Sequence, residues 1–121
     1  MIFKAAVLIA EDETVLRSIA VEVLEQCGFF VFAAADGEAA LEVLKAHAEI
    51  ALLISDIQMP RMNGYTLIAA ALEFRPELKV IIMTAYAPLP PAAIAARKLK
   101  ILRKPFDIED LCAVADSVLA A

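Results

Sequence analysis

Apolar and polar positions come in blocks along this chain, and the period of the blocks switches repeatedly between that of a strand and that of a helix. Val7 to Ala10 is a short apolar run, too short for a helix. Thr14 to Gln26 shows helical spacing, with Val15, Leu16, Ile19, Val23 and Leu24 on one side and Arg17, Glu22 and Glu25 facing away. Gly28 is a suitable stop for that helix. Phe29 to Ala34 predicts a second strand, and Asp36 is placed to cap a helix whose apolar face is Ala39, Ala40, Leu41, Val43 and Leu44. Ala51 to Ser55 is nearly all apolar, as suits a central parallel strand covered on both faces. Gln58 to Asn63 reads as a loop and Gly64 to Phe74 as a helix ended by Arg75-Pro76. Leu78 to Met83 predicts the fourth strand. Pro88, Pro90 and Pro91 disrupt regular structure after it, so that only Ala92 to Lys98 is left for a short or irregular fourth helix. Leu99 to Leu102 predicts the fifth strand, and Ile108 to Leu119 the last helix, with Leu111, Cys112, Val114, Ala115, Val118 and Leu119 inward.

Strand–helix units in succession predict an α/β sandwich around a parallel sheet. Right-handed crossovers place helices on both faces of such a sheet. Ligands then bind beyond the carboxyl ends of the strands, near the point where strand order reverses. The polar residues that end the apolar runs fall on that edge: Glu11-Asp12, Asp56, Thr84 and Lys104. Three carboxylates, a hydroxyl and an ammonium converging there suit a hard cation and a phosphoryl group.

Each of these residues has an ordinary alternative explanation. Acidic residues favour helix N-termini, a β-branched Thr84 fits any strand, and a lysine is usually a solvated charge. Their order at successive strand ends is what carries the chemistry. Clustered carboxylates repel unless a cation joins them, and Mg²⁺ prefers oxygen ligands, one or two carboxylates and a phosphate oxygen. Asp56 is expected to have a buried stem and an exposed head, ready to act as a nucleophile. Pro60 fixes the loop after it, and Gly64 allows either positive φ or close backbone packing. The Thr84 hydroxyl is placed to donate to a phosphoryl oxygen, with the small Ala85 leaving room. Lys104, followed by Pro105-Phe106, is placed to pair with a phosphate.

The bulk numbers narrow the picture further. A chain of 121 residues fits a single domain over residues 1–121, and 62% apolar composition fills its core. A net charge of −5 without a basic run argues against direct nucleic-acid binding. Neither a membrane span nor a leader is visible, so a soluble, cytoplasmic protein is expected. Cys27 and Cys112 lie in apolar helical patterns at neither a redox-motif nor a metal spacing, and read as buried structural thiols. His47, near the end of a helical stretch, is set aside as a phosphodonor or metal ligand.

On Leu8-Ile9-Ala10-Glu11-Asp12-Glu13, Asp56-Ile57-Gln58-Met59-Pro60-Arg61-Met62-Asn63-Gly64, Met83-Thr84-Ala85 and Lys104-Pro105-Phe106, the chain resembles the receiver domain of bacterial two-component response regulators. The resemblance implies a flavodoxin-like, doubly wound five-stranded sheet of order 2-1-3-4-5. It implies phosphoryl transfer onto Asp56 from a histidine kinase or histidine phosphotransfer protein, with Mg²⁺ required. By position, Glu11, Asp12, Asp56 and the backbone carbonyl of Gln58 hold the metal, and Thr84 and Lys104 contact the phosphoryl oxygens. The Lys104-Pro105 bond is expected to be cis. Phosphorylation is expected to switch binding of a downstream protein partner, with no enzymatic activity beyond self-phosphorylation and slow autodephosphorylation.

The chain departs from the family at Ile101, where a rotating Tyr or Phe is usual; Tyr86 is a candidate replacement. The proline-crowded segment before strand five puts the usual output face in question. A phosphorylation-independent interaction module on the same scaffold is therefore the alternative reading. A phosphatase of the haloacid dehalogenase type needs an acid two residues after its nucleophile, and Gln58 stands there instead. The chain ends soon after the last helix, as expected of a stand-alone receiver or of one domain of a larger protein.

Overall fold

A computed structural model describes residues 2–85, 99–104 and 107–120. Strands β1 (Ala6–Ala10), β2 (Phe30–Ala34), β3 (Ile50–Ser55), β4 (Lys79–Thr84) and β5 (Lys100–Arg103) alternate with helices α1 (Thr14–Gln26), α2 (Gly37–Ala46), α3 (Gly64–Phe74) and α4 (Asp110–Ala120). All strand pairs are parallel, in the order β2-β1-β3-β4-β5. This is the doubly wound arrangement expected from the sequence. The short helix anticipated over Ala92 to Lys98, Tyr86, and the Lys104-Pro105 bond lie outside the described residues.

The sheet has two covered faces because its central strands are apolar at nearly every position. Side chains of successive strand residues point to opposite faces. Leu8 and Leu53 therefore enter one core with Ala40 and Leu44 of α2 and Leu67, Ile68 and Ala71 of α3. Val7, Ile9, Leu52 and Ile54 enter the other with Ala20 and Leu24 of α1 and Leu111, Cys112 and Ala115 of α4. Among the described residues no helix is long and apolar enough to cross a membrane.

Local chemistry sets the helix ends. The Asp36 carboxylate accepts from the Ala39 N–H at 2.8 Å, and the Asn63 side-chain oxygen accepts from the Thr66 N–H at 2.9 Å, so each caps its helix. Gly28, at φ +100°, ends α1 in the left-handed conformation that glycine adopts most readily.

Two sequence expectations are corrected. On α1 the buried residues are Ala20 and Leu24, with Leu16, Val23 and Cys27 half-buried on the same side, whereas Val15 and Ile19, expected inward, are exposed at 65% and 42%. Both stripes are apolar in sequence, so helical spacing could not choose between them; the direction from which β2 and α4 pack does. Cys27 and Cys112 are not separate thiols but a disulfide, with their Cα atoms 6.4 Å apart. They are 85 positions apart in sequence, and only the placing of α1 and α4 on one face of the sheet brings them together.

The two options left open for Gly64 resolve in favour of close packing. A Cβ there would collide with the Asp56 carbonyl oxygen and sit 2.7 Å from Ile57 Cα, both rigid backbone atoms. Gly64 also donates its N–H to the Ile57 carbonyl at 2.7 Å, so the start of α3 is pressed against the end of β3. Gly64→Ala is expected to lower stability by about 3 kcal/mol in urea unfolding, the upper range of overpacking costs.

Candidate phosphoryl and metal site

The end of β1 and the end of β3 lie side by side, with Ala10 paired to Ser55. The next residues on each strand, Glu11 and Asp56, are therefore neighbours. The Asp56 N–H donates to the Ala10 carbonyl at 3.1 Å, and the Glu11 N–H donates to the Ala34 carbonyl at 3.1 Å, so both backbones continue the ladder by one step. Strand order reverses here, since β1 connects outward to β2 and β3 lies on its other side. This is where ligands gather in doubly wound sheets.

Lys104 comes from the far side of the sheet. Its backbone N–H donates to the Thr84 carbonyl at 2.8 Å, which continues the β4–β5 ladder past Arg103. From there its ammonium reaches across β4 to both acids. Lys104 Nζ lies 2.7 Å from Asp56 Oδ2 and 2.9 Å from Glu11 Oε1. The remaining carboxylate oxygens are also held. Glu11 Oε2 accepts from the Glu13 N–H at 3.0 Å, and Asp56 Oδ1 accepts from the Gln58 N–H at 3.1 Å. Thr84 is buried at the end of β4, and Ala85 after it is exposed.

Burial differs among the three acids. Glu11 is 1% exposed and Asp56 6%, while Asp12 is open to solvent. Asp56 therefore does not present the exposed head expected from the sequence; its carboxylate is turned into the pocket by Lys104. Carboxylate oxygens of Glu11, Asp12 and Asp56 all lie within 4.8 Å of one another. Three carboxylates against one ammonium leave two negative charges, and the donors are all oxygen, so the cluster fits a hard divalent cation approaching from the Asp12 side.

Titration behaviour reflects this crowding. Burial pushes the Glu11 carboxyl above its usual range, and the charge of Asp56 adds to the push; the Glu13 N–H and Lys104 work against it. Burial alone would lower Lys104, but its hydrogen bonds to Asp56 and Glu11 outweigh that and hold the ammonium above its ordinary value.

Two supporting contacts were not visible in the sequence. Arg17, assigned by spacing to the outer face of α1, donates from Nη1 to the Glu11 carbonyl at 2.9 Å and steadies the acidic turn. Arg61 Nη1 bonds Asp36 Oδ2 at 3.0 Å, tying the loop after Asp56 to the cap of α2. An arginine one turn into the helix after an acidic pair was an available clue for the first. The second pairs residues from separate loops and left no local signal. Ile101, standing where an aromatic was expected, is exposed.

Removing the Lys104 ammonium leaves two buried carboxylates facing each other. Lys104→Met is expected to destabilise the protein by about 3 kcal/mol at neutral pH in urea unfolding, as breaking a buried ion pair does. The loss should shrink at acidic pH, where the orphaned acids take up protons.

Residues 7–116 match the response regulator receiver domain family. The response regulator receiver protein CpdR of Brucella abortus is 37% identical over 117 residues, covering 95% of this chain and 97% of CpdR. Sensor kinase CckA of the same organism is 34% identical over 122 residues, covering 95% of this chain but 12% of the kinase. Among solved structures, a response regulator receiver protein from Sinorhizobium medicae superposes with a TM-score of 0.86 at 29% identity, covering 97% of this chain and 95% of that one. The receiver domain of the hybrid histidine kinase CckA superposes with a TM-score of 0.81 at 32% identity, covering 94% of this chain and 98% of that one. The chain belongs to the response regulator receiver domain family.

Proposed function

We propose that this receiver is the phosphoacceptor of a two-component phosphorelay and that Asp56 takes the phosphoryl group. The observation that carries the reading is the Asp56 carboxylate at the end of β3, held between Lys104 and the acidic turn of Glu11 and Asp12. Membership of the receiver family supports it, as does similarity to a sensor kinase and to CpdR.

The donor is a phosphohistidine on a histidine kinase or a histidine phosphotransfer protein. An Asp56 carboxylate oxygen attacks phosphorus, the phosphorus–nitrogen bond breaks, and its electron pair returns to the imidazole nitrogen. The protein forms no other covalent bond. Its contribution is to position the nucleophile in line and to neutralise charge. Lys104 lies against the nucleophile and is the group that would pair with a phosphoryl oxygen as the acyl phosphate forms. The Thr84 hydroxyl, at the neighbouring strand end, would donate to another. Glu11, Asp12, Asp56 and the backbone carbonyl of Gln58 would hold Mg²⁺. Bound there, the ion screens the repulsion between the carboxylates and the incoming phosphoryl oxygens.

Adding close to two negative charges beside Lys104 draws that ammonium away from Glu11. The tie between the end of β1 and the end of β5 is thereby weakened, and this change is what a downstream partner would sense. Self-phosphorylation and slow hydrolysis of the acyl phosphate complete the chemistry; no separate substrate is turned over.

Intact mass after incubation with acetyl phosphate tests this reading. A single phosphoryl addition that requires Mg²⁺ and is absent in Asp56→Asn is the expected outcome. A folded protein that gains no phosphoryl group under any condition, or that gains it equally in Asp56→Asn, overturns the assignment.

A further inference from the structure

The two cysteines take no part in the acidic pocket, yet they join the two helices that cover one face of the sheet. Cys27 caps the C-terminus of α1, and Cys112 lies in the first turn of α4. Their Cα separation of 6.4 Å is within the range that a disulfide spans. Contacts other than the bond hold each of them in place. The Cys27 N–H donates to the Val23 and Leu24 carbonyls at 3.1 and 3.2 Å. Cys112 is set in the core beside Leu111 and Ala115, both fully buried. The packing of α1 and α4 on one face of the sheet thus holds both cysteine backbones within disulfide range.

A second observation concerns the reduced state. The Cys112 sulfur lies 3.5 Å from the Val23 carbonyl oxygen. A disulfide sulfur has no hydrogen to donate, but a thiol has one. Reduced Cys112 would therefore find an acceptor already in place at the last turn of α1.

We propose that Cys27 and Cys112 form a reversible thiol–disulfide pair that clasps α1 to α4, exchanging with a low-molecular-weight disulfide of the glutathione class. Cys27 is half-buried and Cys112 is 7% exposed, so Cys27 is the entry point and Cys112 the resolving thiol. The Cys27 thiolate attacks one sulfur of oxidised glutathione, forming a mixed disulfide and releasing one glutathione thiolate. The Cys112 thiolate then attacks the Cys27 sulfur, closing the protein disulfide and releasing the second. Two protein thiols lose two protons and two electrons, and one glutathione disulfide becomes two glutathione thiols. Reduction runs the same steps backwards, beginning with attack on the Cys27 sulfur. The clasp joins the helix after the Glu11-Asp12 turn to the helix after the Lys104 segment.

The folded protein is to be equilibrated with mixtures of reduced and oxidised glutathione, quenched by acid, alkylated and weighed intact. The wild type is expected to pass in both directions between a form with two alkylated thiols and a bridged form with none. Cys112→Ala should accumulate one glutathione on Cys27, and Cys27→Ala should be modified at least about tenfold more slowly, since the remaining thiol is shielded. Far-UV circular dichroism of each variant checks the fold, and if a variant fails that check the wild-type exchange alone decides. A bridge that survives excess reduced glutathione, thiols that never pair under oxidised glutathione, or faster modification at Cys112 overturns the proposal.

Discussion

The ammonium of Lys104 holds together a pocket that would otherwise repel itself. It lies within 3 Å of carboxylate oxygens on both Glu11 and Asp56, two acids taken almost wholly out of water. Burying a carboxylate is costly unless it is paired and hydrogen-bonded. Here every oxygen of the two buried acids has a partner: Lys104, the Glu13 N–H or the Gln58 N–H. The parallel sheet makes that pairing possible, since it carries residues distant in sequence to adjacent strand ends. Gly64 lets α3 press against the backbone of Asp56, so the position of this acid is fixed from below as well as from the side.

The same balance leaves the site poised. Lys104 neutralises one of three converging charges, and the exposed Asp12 keeps the pocket open to a further cation. In the proposed reaction, an incoming phosphoryl group would compete with Glu11 for the same ammonium. On the proposed reading, metal binding, phosphoryl acceptance and a change in the tie between Glu11 and Lys104 would all be consequences of one shared counter-ion. The disulfide stands apart from that balance of charge, on the covered side of α1 and α4.

Much of this was legible in the sequence. Strand-length apolar runs alternating with helical periods defined the sheet, most clearly at the buried central strands β1 and β3, which have no polar alternation. Glu11, Asp12, Asp56, Thr84 and Lys104 could be placed together because strand ends on one sheet edge converge whatever the lengths of the loops between them. The cap at Asp36 was local and equally readable, whereas the cap at Asn63 emerged only from the structure. The failures share a cause. The disulfide, the inward turn of Arg17, the exposure of Val15 and Ile19, and the buried head of Asp56 all depend on which element lies alongside, and spacing within one segment does not encode that.

The central claim is that the acidic cluster accepts a divalent cation which the Lys104 ion pair does not displace. Thermal unfolding of the wild type and of Asp12→Ala across a Mg²⁺ titration tests it directly, because a ligand that binds only the folded state raises Tm by mass action. Asp12 is exposed, so its replacement leaves the core packing intact. The account predicts a Tm that climbs with Mg²⁺ and saturates in the wild type, and that stays flat over the same range in Asp12→Ala. A wild-type Tm indifferent to Mg²⁺, or an equal rise in the variant, would contradict it.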